Sequence, residues 1–178
     1  MKREIAILGG GSWGTVLANL ASMNGNKVTL WMRDEANIKS INETNLNTKY
    51  LPKYLLDDNL TATSSMEDIR SSLFILFCVP SNSFKEVLTK AVKYIHTDAF
   101  LISATKGIEE EGFLLMSQIL ENETKGHDIG VISGPNLAQE ISLNQLTGTV
   151  IASKSRVLQE ECIKVFSSDS FRLYTNND

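Results

Sequence analysis

Cysteine is scarce in this chain: Cys78 and Cys162 are the two among 178 residues. Such a pair does not make a disulfide framework or a zinc site. Cys78 lies in an apolar run and reads as a small packing residue, and a reducing, cytoplasmic setting is expected. Histidine is no commoner. His96 and His127 stand apart, with no carboxylate or thiol at ligand spacing. Neither a Ser–His–Asp set nor a metal-binding histidine pair follows from spacing, and no metal is expected. No apolar run reaches the roughly 18 residues that a membrane span requires. Met1-Lys2-Arg3-Glu4 leads straight into an apolar strand, without the core or cleavage site of a secretory leader. Positive charge is not in excess: 17 Lys and Arg against 21 Asp and Glu leave a net charge of -4. That argues against a general nucleic-acid binder. A phosphate ligand must therefore be held by local donors. Internal repeats, low-complexity stretches and long charged tails are also missing.

What remains is an ordinary globular composition, 42% hydrophobic and 21% charged, long enough for one domain over residues 1–178. The informative segment is Ile5 to Thr15. A short apolar run, Ile5 to Leu8, reads as a buried strand. It ends in Gly9-x-Gly11-x-x-Gly14, and a helical pattern from Trp13 to Asn24 follows at once. In that context the glycines form a dinucleotide-binding fingerprint rather than a flexible loop. Gly9 allows a tight turn, Gly11 leaves room for a pyrophosphate at the backbone, and Gly14 lets helix and strand pack closely. The helix start offers N–H groups and partial positive charge to the phosphates.

Further strands are expected at Lys27–Trp31, Ser72–Val79, Phe100–Ser103, Ile129–Ser133, Thr149–Ser153 and Phe171–Tyr174. Helices are expected at Glu35–Asn42, from Ser83 to Ile95, at Gly112–Asn122, from Asn136 to Ser142 and at Arg156–Phe166, with a helix start at Ser64–Asp68. Asn45 to Asn59, interrupted by Pro52, has no clear period. Alternating strands and helices predict an α/β, Rossmann-like, doubly wound and mostly parallel sheet flanked by helices.

In such a sheet, ligands sit beyond the carboxyl ends of the strands. After the first strand, Ser12 and Trp13 offer backbone N–H groups; Trp13 also reads as a core aromatic. After the second come Arg33 and Asp34. An arginine there suits the 2′-phosphate of NADP, whereas an aspartate suits the ribose of NAD, so cofactor choice stays open. Val79-Pro80-Ser81 ends the third long strand, either at a crevice or simply as a terminator. Lys106 follows the next strand and supplies a point charge for a phosphate or a substrate oxygen. Gly134-Pro135-Asn136 follows the fifth, permitting close backbone approach and opening a helix, with helix capping as the plainer role for Asn136. Glu109-Glu110-Glu111 reads as a solvated face.

Taken together, Gly9 to Thr15, Leu30 to Asp34, Asn47-Thr-Lys-Tyr-Leu-Pro52, Val79-Pro-Ser81, Ser103 to Glu109 and Ser133 to Glu140 resemble bacterial-type NAD(P)-dependent glycerol-3-phosphate dehydrogenase. The resemblance covers essentially the whole chain. It implies reversible hydride transfer between NAD(P)H and dihydroxyacetone phosphate, giving sn-glycerol 3-phosphate for phospholipid synthesis, and a homodimer in the complete protein. It implies dinucleotide contacts at Ser12, Trp13, Arg33, Tyr50 and Ala138, contact with cofactor and substrate at Lys106, and substrate contacts at Gly134 and Asn136. Asn136 departs from the serine or threonine that the resemblance leads one to expect. The resemblance also implies an all-helical second domain carrying the proton-transferring lysine. The sequence stops before such a segment, so it is expected to bind dinucleotide and turn over little. A stand-alone nucleotide-binding module is the alternative. A 3-hydroxyacid or 6-phosphogluconate dehydrogenase fits the Asn47–Pro52 segment poorly.

Overall fold

The computed structural model describes residues 2–110 and 112–177. Glu111, the last member of the acidic cluster, lies outside the described residues, as do Met1 and Asp178. The chain runs β1 (Glu4–Leu8), α1 (Ser12–Met23), β2 (Lys27–Trp31), α2 (Glu35–Thr44), β3 (Leu46–Asn47), β4 (Leu51–Leu55), β5 (Leu60–Thr63) and β6 (Phe74–Phe77). It continues through α3 (Ser81–Ala91), β7 (Phe100–Ser103), α4 (Met116–Glu123), β8 (Ile129–Ser133), α5 (Ala138–Ser142), β9 (Thr147–Ser153), α6 (Arg156–Phe166) and β10 (Phe171–Asn176).

Eight strands form one sheet in the order β10-β9-β8-β7-β6-β1-β2-β5. All neighbours are parallel except β8 and β9. The Rossmann-like expectation is therefore met, with one reversal near an edge. The central strands are apolar throughout because both faces are covered. β1 sends Ile5 and Ile7 into one cluster and Ala6 and Leu8 into the other. The first cluster also takes Val16, Leu17 and Leu20 of α1 and Cys162 and Phe166 of α6. The second takes Phe84, Val87 and Leu88 of α3 and Ile119 and Leu120 of α4. Each fully buried isoleucine or leucine contributes about 1.5–3 kcal/mol, so β1 is a firmly anchored strand from which to launch a turn.

The segment without clear period, Asn45 to Asn59, contains a small antiparallel pair, β3 with β4. Pro52 is tolerated because that pair is separate from the main sheet. β5 was not expected; it joins the sheet as an edge strand beside β2. The helix start at Ser64–Asp68 yields one 3-10 turn at Met66–Ile69. The helix expected from Gly112 begins at Met116, because Ile108 and Leu115 bridge first. The helix expected from Ser83 begins at Ser81, directly after Pro80, where proline's fixed φ suits entry to a helix.

The β3–β4 pair is fastened along α1 by polar side chains at helical spacing. Thr15 accepts from Asn47, Asn19 bonds the Leu55 carbonyl and the Asp57 amide, and the Ser22 hydroxyl donates to Asp57 at 2.6 Å. These three positions share one helix face. α1 thus packs on the sheet with its apolar side and holds the hairpin with its polar side. Among the described residues, no helix is long and apolar enough to cross a membrane.

Candidate functional site

The strand order reverses at β1, which has β2 on one side and β6 on the other. A crevice opens at such a switch point. Here it is a cleft of about 750 Å³ walled by the glycine turn, by Arg33, Asp34, Lys49 and Tyr50 on one side, and by Thr105, Lys106, Asn136 and Ala138 on the other.

The three fingerprint glycines have different physical roles. Gly9 has φ +124°, and a Cβ there would lie 2.6 Å from the Cys78 carbonyl oxygen. A Cβ on Gly14 would lie 1.9 Å from the carbonyl oxygen of Gly9, so the helix can sit this close to the turn only without a side chain. A Cβ on Gly11 would meet nothing within 4 Å. Its φ of -71° suits any residue, so the bare position leaves open space rather than relieving strain. Gly11 is also the N-cap of α1, and no described side chain caps that helix. The first-turn N–H groups and the positive end of the helix face this space. A phosphate fits there by charge and by shape.

On the β2 side, Arg33 is exposed at the strand end. Asp34 is already engaged. It caps α2 by accepting from the Asn37 amide at 3.1 Å and pairs with the Lys49 ammonium at 2.7 Å. Lys49 first, then the Asn37 amide, hold its carboxyl below the usual range. The Lys49 ammonium also stands 5.6 Å from the centre of the Tyr50 ring. Buried Asn47 fixes this corner. Its amide donates to the Gly10 carbonyl and the Thr15 hydroxyl, and its oxygen accepts from Asn37 and the Tyr50 amide. The Asn37 oxygen is left as a buried acceptor without a partner among the described residues, at the cleft wall.

On the β7–β8 side, the Trp13 indole donates to the Ala104 carbonyl at 3.1 Å. The Thr105 hydroxyl donates to the Val79 carbonyl at 2.8 Å. The Lys106 ammonium donates to the main-chain carbonyl of Asn136 at 3.2 Å. The Asn136 side chain points inward instead: its amide donates to the Gly148 carbonyl at 3.0 Å, and its oxygen accepts from Thr149 at 2.8 Å. Reversal of β9 makes this possible, because it places the start of β9 beside the end of β8. Gly134 stands behind the wall, where a Cβ would crowd Asn136 and Thr149 at 3.0 Å.

Most of the residues singled out in the sequence therefore converge on one cleft: Gly9, Gly11, Ser12, Trp13, Arg33, Tyr50, Lys106, Asn136 and Ala138 line it. Gly14 and Gly134 support it from behind. Asn136 reaches the cleft with its carboxamide already bonded elsewhere. Sequence reasoning missed Asn37, Lys49 and the anchoring role of Asn47. Their signal was weak, consisting of polar residues at 15, 19 and 22 on an otherwise apolar helix, opposite a segment without period. Cys78 also touches the cleft, but burial pushes its thiol up, as it does that of Cys162.

Residues 4–159 match the family model described as NAD-dependent glycerol-3-phosphate dehydrogenase N-terminus. The chain is 46% identical over 178 residues to glycerol-3-phosphate dehydrogenase [NAD(P)+] of Saccharophagus degradans, covering 99% of this chain and 50% of that protein. It is likewise 46% identical, over 176 residues, to the enzyme of that name from Teredinibacter turnerae, covering 98% and 52%. In structure it superposes on glycerol-3-phosphate dehydrogenase from Coxiella burnetii with TM-score 0.94 at 33% identity, covering 99% of this chain and 55% of that one. It spans about half the length of these relatives. With fold, glycine turn and cleft all in agreement, the chain belongs to the NAD-dependent glycerol-3-phosphate dehydrogenase N-terminal family.

Proposed function

We propose that residues 1–178 act as one domain that binds NADP or NAD, and that the complete protein interconverts dihydroxyacetone phosphate and sn-glycerol 3-phosphate, supplying phospholipid synthesis. The observation carrying this reading is the open space at Gly11, in front of a helix start that no described side chain caps. The N–H groups of Ser12 and Trp13 would hold the pyrophosphate there. Arg33 and Tyr50 would hold the adenosine half, and Lys106 and Ala138 the nicotinamide half. When bound, the nicotinamide would supply a hydride to the carbonyl carbon of dihydroxyacetone phosphate or accept one from the carbinol carbon of sn-glycerol 3-phosphate.

This chain's own residues bind, orient and polarise. Lys106 holds a positive charge at the cleft wall, positioned by the Asn136 carbonyl. A phosphate or developing alkoxide is attracted to that charge. Trp13 locks the start of α1 to the end of β7 through its indole, so the pyrophosphate seat and the lysine keep their spacing. Gly134 and Asn136 lie on the substrate side. The carboxamide of Asn136 builds the wall rather than gripping the substrate. The proton-transferring lysine is assigned to a second domain, so residues 1–178 alone bind the dinucleotide and turn over little. A homodimeric, cytoplasmic complete protein that binds neither nucleic acid nor membrane completes this reading.

Calorimetric titration of the chain with NADPH and NADH tests the binding step. Saturable binding of at least one is expected, and absence of heat with both at millimolar concentration overturns the reading. A substrate panel on the complete protein then separates dihydroxyacetone phosphate from 3-hydroxyacids and 6-phosphogluconate.

A further inference from the structure

Lys49 carries no assigned role, yet it stands at the wall of the cleft in a particular electrostatic arrangement. Its ammonium lies 2.7 Å from Asp34 Oδ2 and 5.6 Å from the centre of the Tyr50 ring. Asp34 is the carboxylate next to the end of β2, where a free carboxylate would accept hydrogen bonds from the two ribose hydroxyls of NAD. Here one of its oxygens caps α2 and the other holds Lys49. The corner around the end of β2 therefore presents two cations, Arg33 and Lys49, and one carboxylate that is already paired. Glu86, whose carboxyl also feels the Arg33 charge, is paired with Lys90 at 2.6 Å.

We infer that Lys49 is a cofactor-selecting residue: with Arg33 it forms a two-cation receptor for the 2′-phosphate of NADP, and by pairing with Asp34 it withdraws the carboxylate that would favour NAD. The inference rests on the dinucleotide reading given above. A lysine ammonium has three donors, and one bond to Asp34 leaves the others for a ligand. The Lys49–Asp34 pair is solvent-exposed, with side-chain exposures of 55% and 37%, and exposed pairs contribute little. Shifting Lys49 so that its ammonium bridges Asp34 and a 2′-phosphate thus loses little, while the phosphate offers a larger charge and more acceptors. The Tyr50 ring beside the ammonium keeps the cation near the adenosine end in either state. Asn47 holds the Tyr50 amide, so the segment carrying Lys49 is fixed to the glycine turn and meets the ligand in register.

The test is a set of titrations of the chain with NADPH and with NADH. Lys49→Ala is expected to weaken NADPH roughly tenfold and NADH less than about twofold. Lys49→Arg is expected to restore the NADPH preference, because arginine keeps the charge. Asp34→Asn retains the helix cap, since asparagine caps as well as aspartate, and removes the negative charge. It is expected to tighten NADPH about threefold and leave NADH level or weaker. The NADPH advantage of the unaltered chain shrinks as salt rises, because exposed charges are screened over roughly 8 Å at physiological ionic strength. Equal losses of both nucleotides in Lys49→Ala, or no loss of either, overturn the selecting role while leaving the dinucleotide reading intact. An unaltered chain that binds neither nucleotide overturns both.

Discussion

The side-chain amide of Asn47 donates to the carbonyl of Gly10 at 3.1 Å and so joins the β3–β4 hairpin to the glycine turn. The bond is buried and belongs to a network with Thr15, Asn37 and Tyr50. In an interior, a network of this kind fixes a single arrangement because any unmade bond is expensive. Asn47→Ala strands the Asn37 amide and the Gly10 carbonyl together. A loss of about 2–4 kcal/mol is expected in denaturant unfolding. Asn47→Asp sets a buried carboxylate against the Gly10 carbonyl, with no donor between them, and is expected to be no better tolerated.

Two glycines of the same turn separate folding from binding. Gly11→Val places its side chain in open space, so unfolding stability is expected to change by no more than about 1–2 kcal/mol. Nucleotide binding is expected to vanish in calorimetry, since the valine occupies the phosphate seat. Gly14→Ala forces a methyl against the Gly9 main chain. It is expected to cost about 3 kcal/mol or more, read as a lowered thermal midpoint before any ligand is added.

Arg33→Ala is expected to weaken NADPH by about 10- to 100-fold, the usual worth of a charge-assisted phosphate contact, and NADH by less than about threefold. Paired titrations measure the ratio. Equal losses would remove the 2′-phosphate role of the guanidinium and place it elsewhere on the nucleotide.

Acid is expected to loosen the hairpin through Asp57. The Ser22 hydroxyl first, then the main chain and side chain of Asn59, hold the Asp57 carboxyl below its ordinary value. A depressed carboxyl binds its proton less readily in the folded chain than in the unfolded one. Its stabilisation is therefore present above the ordinary carboxylate pKa of about 3.9 and lost as pH falls through the folded value. Asp57→Asn is expected to be less stable than the unaltered chain at pH 7, and the gap is expected to close toward pH 2. Urea unfolding at both pH values reads the difference.

The sequence exposed the parts of this fold that depend on strong periodicity. β1, β6 and β7 are short, almost wholly apolar runs, β2 and β8 carry apolar residues between single polar or glycine positions, and α1, α3 and α6 have clear amphipathic spacing, so the parallel core could be read directly. The cleft was legible where one residue type has one physical purpose, as with Gly9, Gly11 and Gly14. It was not legible where function depends on partners distant in the chain. Nothing local to Asn136 shows that Gly148 and Thr149, on a reversed strand, bond its carboxamide. Lys49 has no local pattern that marks it; the hairpin brings it to Asp34. β5 was hidden for another reason: four residues at a sheet edge, with two exposed or half-exposed threonines, carry too little pattern to stand out.

The antiparallel register of β8 and β9 determines where the polypeptide leaves the sheet. β10 runs beside β9 in the same sense, so Phe171 lies near Trp13 on the nucleotide side and Asn176 lies at the opposite rim. Any segment joined beyond Asn177 sets out from that far rim. To bring a side chain to the nicotinamide it must first travel back along the height of β10, six residues or about 20 Å, so a short fused peptide there stays clear of the nucleotide mouth.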